Sequence, residues 1–456
     1  MPPPQPTRRL SLLAAALTTL GLLIVACTGH ATAAPSGPPS SAAGDTHLAS
    51  RLSEVTDPGS SGRHALRPGA GTGVTIPADV VAGVAVFDRL TGRFTESHNP
   101  DRAFRSASVV KLLLALDYLW NRGPAYDPPQ ADRDRLAVML SSSDDAAASH
   151  YWSTGGGSAV IARMVPRLAL TGTVPPPAAY PGYWGYTATT AADTVRVYRY
   201  LLDTAPAPVR ELVLGALHRS TRCATDGFDQ GFGLPSAFEA PGAVKQGWSG
   251  FTSGGCTPAP APAVGYGPAS GAAVDAHASA DKGTASGSGS GSGGPEAPTG
   301  AVGPSAPAPA PAAAPSLDLT SEALHTTGTV GPDDRTIVAV LTLHPDGTPY
   351  GSAYSKVTAL AGSLNVPGAV RPAGTRFTTW GSGVRVRSAP TTASAALTTL
   401  PAGVDVLVRC QQQGGLVSVP PYTNDWWAFL PQYGGWITNI YVESPGNTLP
   451  NVARCP

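Results

Sequence analysis

Lysine is nearly absent from this chain. Of its 456 residues four are Lys (Lys111, Lys245, Lys282 and Lys356), and the other 26 of the 30 basic residues are Arg. Charged residues make up 13%, and 30 basic side chains balance 30 acidic ones. A neutral, charge-poor chain lacks the basic patch that nucleic acid demands, and the same poverty argues against disorder driven by charge. Five Cys occur, with no C-x-x-C pair and no Cys/His cluster, which argues against zinc. No metal and no organic cofactor is implied. Gly69-Ala70-Gly71-Thr72-Gly73 is a loop and not a nucleotide fingerprint, because no strand precedes it. Gly and Pro, by contrast, total 100 residues, a surplus that marks long flexible stretches beside globular ones. At roughly 150 residues per domain, the length suggests two or three domains.

The N-terminus reads as an export signal over residues 1–34. Arg8 and Arg9 precede an apolar run from Leu10 to Ala26, and small residues follow at Ala31-Thr32-Ala33. The run is 17 residues long with Ser, Thr and Gly inside it, short for a membrane span. Ile24-Val25-Ala26-Cys27 resembles a bacterial lipobox, which makes Cys27 a candidate for lipidation; ordinary cleavage after Ala33 or Ala34 is the alternative. The other four Cys form an even set in an oxidising compartment. Their positions suggest Cys223–Cys256 and Cys410–Cys455, although sequence alone allows three pairings.

Composition then divides the chain. Residues 35–66 read as a Ser/Gly/Ala/Pro tether. A globular block spans 67–365, interrupted at 257–316, where 48 of 60 residues are Gly, Pro, Ala or Ser. Within the block, Val80–Asp88 is an apolar strand followed by a turn at Leu90–Arg93. Ser108–Trp120 is apolar almost all round, the mark of a buried helix. Helical patterns at Ala131–Leu140 and Ala146–Tyr151 flank Ser143-Asp144-Asp145. Thr190–Leu202 opens on an N-cap signature. Ala243–Phe251 reads as a strand, His325–Val330 and Thr336–Leu343 as a strand pair, and Tyr354–Leu364 as a closing helix. The interruption falls between two strands, hence a loop insertion. This order predicts an α+β fold with a mostly antiparallel sheet. After a linker at 366–375, residues 376–456 are rich in Val, Trp and Tyr, show no helix pattern, and predict a small all-β barrel.

Ser108-Val109-Val110-Lys111 is S-x-x-K at the head of the buried helix. A spacing of three puts both side chains on one face. A Ser hydroxyl needs a base within reach, and a Lys serves if burial or a nearby cation makes it less basic. The helix start also offers N–H groups to a developing oxyanion. The tetrapeptide alone says little, since Ser279-Ala280-Asp281-Lys282 matches it inside the low-complexity loop. Ser143-Asp144-Asp145 and Lys245-Gln246-Gly247 follow in order. Each piece also has a plain structural reading: a helix cap with a surface charge for Ser108 and Lys111, a cap for Asp144 and Asp145, a solvated strand residue for Lys245, and a satisfied helix residue for His150. Two of the four lysines nevertheless fall on these motifs.

Together Ser108, Lys111, Ser143, Lys245 and Gly247 resemble the serine β-lactamase and penicillin-binding-protein superfamily, most of all its class A members, whose motifs are S-x-x-K, S-D-N and K-T-G. The resemblance covers about 67–365 without the loop and implies a transpeptidase-like antiparallel sheet with a helical subdomain. It implies that Ser108 attacks an amide or β-lactam carbonyl, Lys111 takes its proton, Ser143 relays a proton to the leaving nitrogen, and Lys245 helps bind a carboxylate. The backbone N–H groups of Ser108 and Trp248 would form the oxyanion hole, with Asp145, Gln246 and Gly247 lining the substrate.

Three departures stand out. Asp145 replaces an Asn whose amide holds the substrate; ionised, it cannot donate a hydrogen bond and could hold Lys111 protonated. Gln246 replaces a hydroxyl residue. No Asp or Glu occurs between Asp145 and Asp193, where class A enzymes carry their deacylating Glu, and the segment Val174–Tyr186 is rich in Pro and aromatics instead. Slow or absent β-lactamase turnover is expected. The C-terminal unit resembles bacterial SH3 domains over about 376–445, through Val384–Pro390, Leu400–Gly403, Trp426-Trp427-Ala428, Gly435-Trp436-Ile437 and Tyr441-Val442. That implies binding to a cell-wall component, with Tyr422, Trp426 and Tyr433 as exposed contact candidates and Trp427 and Trp436 as core. The chain is thus expected to be an exported acyl-serine hydrolase acting on β-lactams or peptidoglycan stem peptides, targeted by its C-terminal module. The alternative is a catalytically degenerate scaffold whose main role is binding.

Overall fold

A computed structural model describes residues 74–252, 254–256, 316–400 and 402–456. The export signal, Cys27, the tether and nearly all of the low-complexity insertion lie outside the described residues. Strands β1 (Val81–Asp88) and β2 (Arg93–His98) form a hairpin. After the two-residue β3 (Phe104–Arg105), a 3-10 turn at Ala107–Val110 runs into α1 (Lys111–Trp120). Helices α2 (Gln130–Ser141), α3 (Asp145–Thr154) and α4 (Ser158–Arg167) follow. Next come β4 (Ala188–Thr189), which pairs with β3, then α5 (Ala191–Arg199), α6 (Ala207–Leu217) and the single-turn α7 (Leu234–Ala237). Strands β5 (Val244–Ser249), β6 (Glu322–Val330) and β7 (Thr336–His344) lead to α8 (Tyr350–Ser363).

The main sheet is antiparallel throughout, in the order β2-β1-β7-β6-β5. Its central strands are apolar on both faces because both faces are covered. Ala85, Phe87, Ile337, Ala339 and Leu341 pack with α1, α5 and α6 in one core. Their neighbours Val84, Val86, Val338 and Val340 point the other way and pack with α7 and α8. This is the period-two alternation of a strand, applied between two apolar layers. Helix α1 sits inside the helical layer, where eight of its ten residues are buried. Thr190 caps α5 by accepting from the Asp193 N–H at 3.0 Å. The sequence pattern passed over α4 and α6; both contribute to the first core.

The C-terminal residues are all-β: β8 (Thr375–Thr378), β9 (Val384–Arg387), β10 (Ala396–Leu400), β11 (Asp405–Val408), β12 (Cys410–Val419), β13 (Tyr422–Leu430) and β14 (Gly435–Thr438). These strands form a five-stranded antiparallel sheet, β10-β9-β14-β13-β12, and a two-stranded ladder of β11 and β8. Among the described residues no ladder joins the two into a closed barrel. Val384, Val386, Leu400, Val404, Val406 and Ile437 share one apolar cluster with Trp248, Tyr350, Tyr354 and Val357 of the preceding block. At Gly351 the α8 backbone lies against the Ala402 carbonyl, leaving no room for a side chain. Both disulfides take the expected pairing, Cys223–Cys256 and Cys410–Cys455. No helix among the described residues is long and apolar enough to cross a membrane.

Candidate active site

The site forms where the start of α1 meets the edge strand β5. Segment 104–107 is pinned from three sides. The Ser106 N–H donates to the Thr187 carbonyl at 2.8 Å. The buried Arg105 guanidinium donates to the carbonyls of Asp318 and Ser249 at 2.8 and 3.3 Å and to that of Ser321. His325 Nδ1 accepts from the Thr342 N–H at 3.1 Å, so its Nε2–H is the donor to the Arg105 carbonyl at 2.8 Å. The turn that follows brings Ala107 to a φ of 45°, unusual for a residue with a Cβ. Ser108 comes next, in the turn that continues into α1.

Gly247 lets β5 approach this turn. A Cβ there would stand 3.1 Å from the Ser106 carbonyl oxygen and 3.3 Å from the Ser108 nitrogen, inside ordinary contact distance. Lys245, two residues earlier and on the same face of β5, is carried to the same place. Ser143 arrives from the turn between α2 and α3 with a φ of 56°. Asp144 caps α3, its Oδ1 accepting from the Ala147 N–H at 2.7 Å, which leaves Asp145 to turn toward Lys111.

These parts make one hydrogen-bonded cluster. Lys111 Nζ donates to the Ser143 carbonyl at 2.7 Å, to Ser143 Oγ at 3.1 Å and to Asp145 Oδ1 at 2.5 Å. Lys245 Nζ donates to the same Ser143 Oγ at 2.9 Å and to the Gln246 carbonyl at 3.0 Å. Burial, and then the charge of Lys111, hold Lys245 well below the usual lysine range. A Lys245 that gives up its proton becomes an acceptor for the Ser143 hydroxyl. The geometry can therefore move a proton along Lys245–Ser143, while Lys111 donates three hydrogen bonds. Ser108 Oγ is buried and makes no hydrogen bond among the described residues.

The expected site residues separate into those that meet here and those that do not. Ser108, Lys111, Ser143, Lys245, Asp145 and Gly247 meet. Trp248 follows on β5 with its ring buried against Phe228, at 5.4 Å between centroids, and its Nε1 donating to Asp226 Oδ2 at 3.0 Å. Gln246 turns to the opposite face, where its Nε2 donates to the carbonyls of Gln230 and Phe232 at 3.0 and 2.6 Å. Trp184 was not singled out from the sequence. It comes from the aromatic segment in which a carboxylate is missing, and its ring lies 4.9 Å from Lys111 Nζ. The one signal for it was the density of aromatic residues between Tyr180 and Tyr186.

The wall-binding candidates also part company. Tyr422 is exposed, beside Trp380. Trp426 is half-buried under the Arg454 guanidinium. Tyr433, expected to be exposed, is half-buried: Arg222 lies 3.6 Å from its ring centroid and its hydroxyl meets that of Tyr354 at 3.0 Å. Trp427 is core, whereas Trp436 is half-buried against Phe429.

No protein-family model matches this chain, and no curated protein does. Among solved structures it is similar to that of PBP-A, at 14% identity over 65% of this chain and 97% of that one, with a TM-score of 0.40. It is similar at the same identity and TM-score to the class A beta-lactamase described as the last common ancestor of Gram-negative bacteria, over 62% of this chain and 92% of that one. A beta-lactamase from Desulfarculus baarsii matches at 14% identity over 62% and 90%, with a TM-score of 0.37.

Proposed function

We propose that this chain is an exported acyl-serine hydrolase of the β-lactamase and penicillin-binding type, acting on β-lactams or peptidoglycan stem peptides. The observation that carries the reading is the convergence of Ser108, Lys111, Ser143 and Lys245 from three separate stretches, with both lysines donating to one hydroxyl. Ser108 is the nucleophile that attacks the carbonyl carbon, and the N–H groups of Ser108 and Trp248 receive the oxyanion. Its proton passes into the Ser143–lysine cluster and from there to the leaving nitrogen. The all-β C-terminal unit, with its SH3-like residue order, supports a role in retaining the enzyme on the wall. The test is intact-mass spectrometry of the mature protein after incubation with a fluorescent penicillin, beside Ser108→Ala. An adduct on the wild type alone supports the reading. An adduct on both proteins, or on neither, refutes Ser108 as the acylated residue.

One observation favours a second reading, a degenerate domain retained for binding. Ser108 and both lysines are fully enclosed. Under that reading no β-lactam adduct forms at any position, while wall association persists.

A further inference from the structure

A cavity of about 420 Å³ opens in the C-terminal unit, far in sequence from Ser108 and lined by Trp380, Tyr422, Asn424, Asn439, Glu443 and Asn447. Two large aromatic side chains stand exposed side by side at its mouth. Trp380 is 44% exposed and Tyr422 57%, with ring centroids 6.0 Å apart and tilted by 54°. Trp380 is fixed from behind: its Nε1 donates to the Ile440 carbonyl at 2.7 Å, and Tyr441 packs at 5.3 Å. The indole has thus spent its donor and offers its π-face.

The floor is built in the same sense. Asn424 Nδ2 donates to the Asn447 carbonyl at 2.9 Å, and Asn424 Oδ1 accepts from the Trp426 N–H. Asn439 Nδ2 donates to the same carbonyl at 3.1 Å and to Gln411 Oε1 at 3.2 Å. Asn439 is 2% exposed and its Oδ1 has no hydrogen-bond partner, a buried acceptor lacking a donor. The rim adds the exposed Glu443, whose backbone is pinned by its N–H to the Thr378 carbonyl at 2.9 Å. Asn439 spends both amide hydrogens on the protein, and Asn424 donates one of its two to Asn447. The pocket presents two aromatic faces, a carboxylate and an unsatisfied oxygen, all of which attract positive charge and N–H donors.

We propose that this pocket binds an organic ammonium group, the free amine of a peptide, seated between Trp380 and Tyr422 and paired with Glu443. The proposal does not depend on Ser108 chemistry. It relocates ligand contact in this unit from Trp426 and Tyr433 to Trp380, Asn439 and Glu443, and keeps Tyr422.

The experiment is isothermal titration calorimetry of the mature full chain with Nα-acetyl-lysine amide, its neutral isostere Nα-acetyl-norleucine amide, alanine amide and chitotriose. Saturable binding of the lysine probe, at least about tenfold tighter than the norleucine probe, is expected. Glu443→Gln and Tyr422→Ala are exposed changes that leave folding intact, and each should weaken it about tenfold or more. Ser108→Ala should not change it, which separates this site from the hydrolase reading. Alanine amide binding as well as the lysine probe would assign the N-terminal amine as a source, and its failure the side-chain amine. The proposal is overturned by equal binding of the two acetylated probes, by unchanged affinity in Glu443→Gln, by chitotriose binding in place of the amines, or by no binding of either amine.

Discussion

Asp145 Oδ1 and Lys111 Nζ form an ion pair at 2.5 Å, closing the lysine's third hydrogen bond and leaving none for Ser108. The lysine end is fully buried, and 26% of the aspartate side chain is exposed. A carboxylate this close occupies the lysine and competes with the nucleophile for it. Asp145→Asn removes the charge and keeps the shape. Acylation of Ser108 by penicillin should then accelerate by roughly tenfold or more, the scale of a general base restored. Pre-steady-state mass spectrometry measures this, and an unchanged or slower rate would show that the pair does not restrain the site.

Ser143 Oγ is the shared acceptor of both lysines. Ser143→Ala should therefore cost acylation about 10²-fold, because the proton path is broken. Stability should change little, since Lys111 keeps the Ser143 carbonyl and Asp145, and Lys245 keeps the Gln246 carbonyl. Comparing adduct formation with urea midpoints separates the two effects.

Trp184 borders Lys111 from the segment between Asp145 and Asp193, which holds no Asp or Glu. That segment therefore offers no carboxylate to activate water against an acyl-Ser108. The penicillin adduct should accordingly persist, with nitrocefin turned over far more slowly than the adduct forms. Rapid steady hydrolysis of nitrocefin by the wild type, lost in Ser108→Ala, would mean that another group deacylates.

Arg222 ties the C-terminal unit to the loop beneath β5. It donates to the Gln432 carbonyl at 3.1 Å and to Tyr354 Oη at 3.0 Å, and it pairs with the buried Asp229 at 2.8 Å. Arg222→Ala strands the carboxylate, at a cost of roughly 3–5 kcal/mol. Chemical denaturation should show one destabilised transition. Loss of structure confined to the C-terminal strands would refute the coupling.

His325 and His344 are buried, and burial holds each at about 4. The unfolded chain binds their protons near 6.5, so between about 4 and 6.5 the unfolded state carries more protons. Their contribution to stability is complete above pH 6.5 and lost as pH falls toward 4, on the order of 3 kcal/mol for each histidine. Urea midpoints at pH 7 and 4.5 test this, and His325→Gln should flatten the dependence.

The sequence by itself determined the local pieces. An apolar run of helical length became the enclosed α1, and Val81–Asp88 and Thr336–His344 became central strands because their unbroken hydrophobicity tolerates cover on both faces. Thr190 and Asp144 declared helix starts through short-range hydrogen bonds, which depend on neighbours in the chain. Motif order also marked the residues that meet at Ser108. Contacts distant in sequence were decided by the tertiary structure alone. Pleat direction turned Gln246 away from Lys245, although the two are adjacent in the chain. The C-terminal strands settled into two separate sheets because their apolar residues found cover on Trp248 and α8 as well as on one another. Arg222 drew Tyr433 inward, and Trp184 took the place beside Lys111. None of these has a signature in spacing, because each depends on which distant surface a side chain faces once the sheet has formed.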